Sequence, residues 1–121
     1  MKRKISGDTL SVMDDNDNVV LTIKGTSAEK ITKLVVTGNI THDVSPDFED
    51  ELMSILIAGH DVAVDFSMLD HISAPALKTL LTIQKLAEEK NFKFYINKIS
   101  NSVKETFEQT GFIDLLDIRD K

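Results

Sequence analysis

Apolar and polar residues alternate over residues 9–13 (TLSVM) and 18–24 (NVVLTIK), on either side of the polar stretch DDNDN. A period of two flanking a turn-rich pentapeptide predicts a β-hairpin. A third strand is expected over 31–37 (ITKLVVT), after a break at Gly25, Thr26 and Ser27. The period then lengthens. In SPDFEDELMSILIAG, Phe48, Leu52, Ile55 and Leu56 recur at helical spacing. Ser45 is the expected N-cap, Pro46 suits the first turn, and Asp47, Glu49 and Asp50 complement the positive end of the helix dipole. Gly59 can supply the left-handed residue that ends the helix.

The second half repeats this alternation of strand and helix. DVAVDF (61–66) places Val62, Val64 and Phe66 on one strand face and Asp65 on the other. The following LDHISAPALKTLL (69–81) leads through a tight loop into a helix that Ser73 caps and that runs to about Lys90. Its apolar stripe is Leu77, Leu80, Leu81, Gln84 and Ala87, and Asn91 follows its end. FKFYI (92–96) is a further strand. Ser100 caps a third helix carrying Val103 and Phe107, and Gly111 stops it. FIDLLDI (112–118) is a short strand or an irregular turn. The predicted class is α/β: a mixed sheet of about four to six strands backed by roughly three or four helices, with an added N-terminal hairpin.

Length and composition narrow the class. The chain has 121 residues, 41% hydrophobic and 28% charged, which suits one domain with a real core. No apolar run is long enough for a membrane-spanning helix. The basic start MKRKISGD leads into polar residues, so it is not expected to act as a secretory signal. The absence of cysteine excludes a disulfide framework and a thiolate metal site, and a cytoplasmic protein is expected. Fourteen Lys and Arg against twenty Asp and Glu give a formal charge of −6, and there is no tryptophan. That balance argues against direct nucleic-acid binding.

Candidate chemistry is sparse. Asp14, Asn16 and Asn18 copy the first spacings of a calcium loop, but Val19 and Gly25 stand where the turn glycine and bidentate glutamate belong. A polar hairpin tip is the better reading. Asp70, His71 and Ser73 include the residue types of a hydrolase triad. Neighbours in an extended segment point apart, however, and no G-x-S-x-G elbow surrounds Ser73. His42 and His60 have no partner at metal-ligand spacing. Glu88 and Glu89 read as a solvated helix face. The five glycines form no phosphate-cradling motif. Neither catalysis, a metal nor a cofactor is expected.

From Ile31 to Ile118 the order of elements resembles the STAS domain of bacterial anti-sigma factor antagonists. LVVTGNIT followed by SPDFEDEL, then VAVDFSMLDHIS, then ISNSVKETFEQTGFIDLLDI each resemble a segment of that family. The whole chain is then one STAS-like domain, with residues 1–30 a hairpin extension and 31–118 the family-like core. The resemblance implies a non-enzymatic interaction module whose signature loop reads approximately D-S-[ST]-G-L or S-S-A-G-L. A serine in that loop is phosphorylated by a partner anti-sigma kinase, and the unphosphorylated form binds the kinase and frees the sigma factor.

Registered on Leu77, the loop here has Ser73 at the D/S position, Ala74 at the phosphoacceptor position, then Pro75 and Ala76. Alanine has no oxygen to receive a phosphate, so the usual switch is expected to be absent. Ser73 is the fallback acceptor, against its plainer role as a helix cap. The resemblance implies a partner-binding loop of His71, Ile72, Ser73, Ala74, Pro75, Ala76 and Lys78, and an anti-sigma factor or related regulatory protein as partner. The added hairpin and the short segment after Ile118 differ from the family pattern. Either is expected to expose a sheet edge or helix face for self-association. The alternative reading is a small-ligand, nucleotide or lipid-binding STAS domain of a transport-related complex.

Overall fold

The chain places two short strands, β1 (Lys2–Ser6) and β2 (Thr9–Met13), before two long ones, β3 (Val19–Ala28) and β4 (Ile31–Ile40). Then come α1 (Ser45–Ile57), β5 (Asp61–Phe66), β6 (Leu69–Ile72), α2 (Ala74–Glu89), β7 (Phe94–Ile99) and α3 (Asn101–Thr110). This computed structural model describes residues 2–28 and 30–119. The sheet has seven strands in the order β1-β2-β3-β4-β5-β7, with β6 also paired to β4. Strands β1 to β4 are antiparallel, whereas β4–β5, β4–β6 and β5–β7 are parallel. The mixed α/β architecture and the N-terminal hairpin agree with the sequence pattern.

One side of β4 is shared by two strands in succession. Strand β5 pairs with the first half of β4 (Ile31 to Val35), and β6 pairs with its second half (Gly38 to Ile40). The chain turns between them at Ser67 and Met68, where Asp65 Oδ1 accepts from the Ser67 amide at 2.8 Å. Gly38 sits opposite this turn at φ +110 and donates to the Met68 carbonyl at 3.3 Å. A Cβ at Gly38 would run into the Val20 carbonyl, so only glycine fits that crossing.

Helix α1 packs on β4 and β5, and α2 packs on α1 and β7. The core between helices and sheet includes Leu21, Leu34, Val62, Val64, Phe66 and Ile96 from the strands. Phe48, Leu52, Leu80, Ile83 and Phe107 meet them from the helices. The Phe48 and Phe66 rings lie 6.2 Å apart, tilted at 45°. Truncating either ring to alanine should cost about 3–5 kcal/mol.

Several boundaries differ from the sequence reading. Residues 2–6 form a strand that no alternation announces, because every residue of KRKIS is exposed. It is placed by pairing with β2 and by Arg3, which bonds the carboxylates of Asp47 and Asp50 on α1. No break occurs at Gly25–Ser27; β3 runs through them in register with Leu34, Lys33 and Thr32, and the Gly25 amide donates to the Asp8 carbonyl. Strand β7 starts two residues later than FKFYI and continues to Ile99, because Asn91 (φ +63) and Phe92 still belong to the end of α2. Ile83, absent from the expected stripe of α2, is 1% exposed, while Leu81 and Gln84 are half-buried.

The three helix starts also separate. Ser100 caps α3 as expected, its Oγ accepting from the Val103 amide at 3.2 Å, and Gly111 ends that helix at φ +81. Ser45 is no cap: Val44 holds that position, and Ser45 lies in the first turn of α1 with its hydroxyl donating back to the Thr41 carbonyl. Gly59 follows the helix at φ +87 as predicted. Ser73 occupies the cap position of α2 with extended backbone, but its hydroxyl bonds no helix amide.

The polar tip is a turn: Asp14 Oδ1 accepts from the amides of Asn16 and Asn18 at 2.9 and 3.0 Å. The Asn18 amide, opposed by desolvation and helped by the Asn16 amide, holds this carboxyl below its ordinary range. Among the described residues no group of three or more His, Cys, Asp or Glu could hold a metal ion.

Candidate functional site at the start of helix α2

The chain leaves β4 and β6 at the same end, because these strands are parallel neighbours. Each then turns directly into a helix, so the starts of α1 and α2 lie side by side. That topology gathers the site at the carboxyl ends of the parallel strands, where α/β sheets place their ligand and partner contacts.

The Ser73 amide donates to the Ile40 carbonyl at 2.8 Å, extending the β4–β6 pairing by one residue. The Ser73 carbonyl accepts from the Leu77 amide at 3.1 Å and opens the ladder of α2. Between these anchors the Ser73 hydroxyl points inward and lies 2.9 Å from Ser45 Oγ. Ser45 gives its own proton to the Thr41 carbonyl at 3.1 Å, so Ser73 is the donor in the pair. The result is a relay from Ser73 to Ser45 to Thr41. Both serines are 4% exposed, and the relay satisfies two buried hydroxyls.

The seven loop residues divide by orientation. Ile72 and Ala76 are buried in the core, 2% and 0% exposed, and Ser73 faces the relay. His71, Ala74 and Lys78 are exposed, and Pro75 is half-buried. Ala74 is the first residue of α2 and presents a bare methyl to solvent. Asp70 and His71 are exposed, whereas Ser73 turns the other way, so the three triad residue types do not converge.

Beside the loop, a cleft of about 350 Å³ runs between α1 and α2. His42, Ser45, Pro46 and Glu49 line one wall, and Pro75 and Lys78 line the other. Sequence reasoning placed none of the α1 residues in the site. The signal was there only as the matching Ser-Pro and Ser-Ala-Pro starts of the two helices, which say nothing about their adjacency. His60 lies away from this cleft, half-buried, with Nδ1 3.0 Å from Thr32 Oγ1.

A sheet whose parallel strands feed two helices at one end, with a short loop at that junction and no converging catalytic groups, defines the class of fold. The family follows from the sequence: the STAS domain model matches residues 19–121, and the chain belongs to that family. No curated protein sequence matches it. Among solved structures, an anti-sigma factor antagonist from Mycobacterium paratuberculosis is similar with a TM-score of 0.71 at 14% identity; the match covers 91% of this chain and 92% of that one. A putative anti-sigma factor antagonist from Thermotoga maritima is similar with a TM-score of 0.73, also at 14% identity, over 82% and 86% of the two chains. The murine anion transporter Slc26a9 is similar with a TM-score of 0.65 at 11% identity, over 94% of this chain and 20% of the transporter. At such identities the likeness is one of fold. No helix among the described residues is long and apolar enough to cross a membrane.

Proposed function

We propose that this STAS domain is a non-catalytic, cytoplasmic protein-interaction module that docks an anti-sigma factor or related kinase-like regulator. The docking surface is His71, Ala74, Pro75 and Lys78 together with the cleft against α1, and the module works without the serine phosphoswitch. One observation carries the reading. The exposed position at the head of α2 is Ala74, which has no hydroxyl, while the nearest hydroxyl, Ser73, is 4% exposed and donates into the relay with Ser45. A kinase therefore finds an accessible methyl and a buried oxygen.

The test pairs the chain with the anti-sigma-like proteins of its own organism, measured by calorimetry. Binding to one of them, weakened several-fold by Lys78→Glu, is the expected result; no binding to any member of the set rejects the partner class. Intact mass after incubation with a kinase-competent partner tests the switch. The parent chain should stay unmodified and Ala74→Ser should gain one phosphate, whereas a phosphate on Ser73 of the parent would restore the switch.

The match to a domain of an anion transporter favours a second reading, a small-ligand, nucleotide or lipid-binding STAS domain of a transport-related complex. Calorimetry with nucleotides and with anionic lipid vesicles separates the two. Heat that changes at His71 or Lys78 variants would favour the second reading over the first.

A further inference from the structure

The opposite end of the sheet holds a second concavity, of about 330 Å³, that shares no residue with the α1–α2 cleft. It lies at the amino-terminal half of β4, below Thr32 and Leu34, and is closed on one side by the end of α1 and on the other by the β1–β2 turn. Its floor is apolar, Leu10, Leu34 and Ile55, and the exposed Ala58 stands at the rim. Ile5 stands at the lip with 76% of its surface exposed, an unusual place for a large apolar side chain. The position of Ile5 is not accidental. Arg3, two residues earlier on the same strand face, holds β1 against α1 through Asp47 and Asp50.

The carboxylates of the lining face no lysine or arginine across it, among the described residues. They are those of Asp8 and Glu51, and His60 contributes an imidazole. The ring of His60 is oriented by a chain of hydroxyls, Ser27 Oγ to Thr32 Oγ1 at 3.0 Å and Thr32 Oγ1 to His60 Nδ1 at 3.0 Å. Its Nε2 has no hydrogen bond among the described residues, which leaves one ring nitrogen for a ligand. An apolar floor of this size with a few convergent polar groups is the usual build of a small-molecule site. Carboxylates without a countercharge select a cation and repel nucleotides, phosphates and fatty acids.

We infer that this pocket binds a compact amphiphilic ammonium, its hydrocarbon body on Leu10, Leu34 and Ile55 under Ile5 and its charged end against Glu51 and Asp8. Its outer wall comes from the β1–β2 hairpin, which precedes the segment that matches the family model, and the rest of its lining lies within that segment. It does not depend on the partner-docking reading.

The experiment is an amide chemical-shift titration of the full chain with phenethylammonium and, separately, with hydrocinnamate, an anion of nearly the same shape. The ammonium should give saturable shifts at Gly7, Gly25, Ser27 and His60, and the carboxylate should give none there. Glu51→Gln should weaken the ammonium roughly fivefold, the loss expected for one partly exposed ion pair. Ala58→Phe, at an exposed position on the rim, should fill the pocket and abolish the shifts without disturbing the core. Equal affinity for hydrocinnamate overturns the inference. So do shifts that neither saturate nor respond to the two substitutions.

Discussion

Helices α2 and α3 begin with the same residue in nearly the same backbone conformation and use it differently. Ser73 has φ −79 and ψ 163, and Ser100 has φ −72 and ψ 161. At α3 the hydroxyl works locally and at range: it accepts from the Val103 amide at 3.2 Å and donates to the Leu69 carbonyl at 2.7 Å. At α2 it ignores the helix and donates to Ser45, 28 residues away in the chain. The backbone of Ser73 is pinned to Ile40, at the edge where β4 hands the chain to α1, so the nearest acceptor is another helix's hydroxyl. A cap residue thus fixes where a helix starts, while the topology decides which atom its side chain serves. At α2 the consequence is functional, because the relay draws the loop's one hydroxyl inward and leaves Ala74 outside.

The largest expected effect tests that inward orientation. Ser73→Asp puts a carboxylate into a site that is 4% exposed and already filled by the Ser45 hydroxyl. The buried charge, offset only in part by the free amides of the helix start, should lower stability by about 2–3 kcal/mol, read as a shift in the urea midpoint at unchanged slope. A Ser73→Asp chain as stable as the parent would mean that the side chain turns outward, to solvent or to the amides of α2, and the contrast with Ser100 would collapse.

The next pair sharpens the contrast. Ser100→Ala removes a helix cap and a bond to Leu69 together and should cost about 1–2 kcal/mol. Ser73→Ala removes one bond and leaves Ser45 still attached to Thr41, so it should cost only about 0.5–1 kcal/mol. The double-mutant cycle separates mechanism from magnitude. Ser45→Ala and Ser73→Ala should couple by about 0.5 kcal/mol or more, whereas Ser45→Ala and Ser100→Ala should add. Additivity of the first pair would remove the relay.

The same distinction between local and long-range determinants explains what the sequence revealed. The alternation in DVAVDF, the helical spacing of Phe48, Leu52 and Leu56, and the Ser100 to Gly111 helix are local signals, and all of them appear in the fold. Strand β1 was not legible, because KRKIS has no buried position and is held by its neighbour's register and by Arg3 reaching α1. The continuation of β3 through Gly25 was hidden for a similar reason: Leu34, Lys33 and Thr32 across the ladder override three turn-forming residues. At the site, the missing hydroxyl at Ala74 could be read directly. The Ser45–Ser73 relay could not, since two serines 28 residues apart meet only once β4 and β6 are neighbours.

The smallest expected effect is also the one that separates the two faces of the loop most cleanly. Ala74→Asp lies one residue beyond Ser73, but at an exposed first position of α2, next to the free amides of the helix start. The carboxylate meets solvent on one side and the positive end of the dipole on the other, worth about 0.3–1 kcal/mol when exposed. Pro75 supplies no amide at the second position, which trims that gain. Stability of Ala74→Asp should therefore equal the parent's or exceed it by up to about 0.5 kcal/mol, in the same urea experiment that unfolds Ser73→Asp early. Adjacent positions would then respond to the same charge with opposite signs. If Ala74→Asp were instead as costly as Ser73→Asp, the methyl would have to lie inside the fold, and the surface assigned to partner docking would lose its centre.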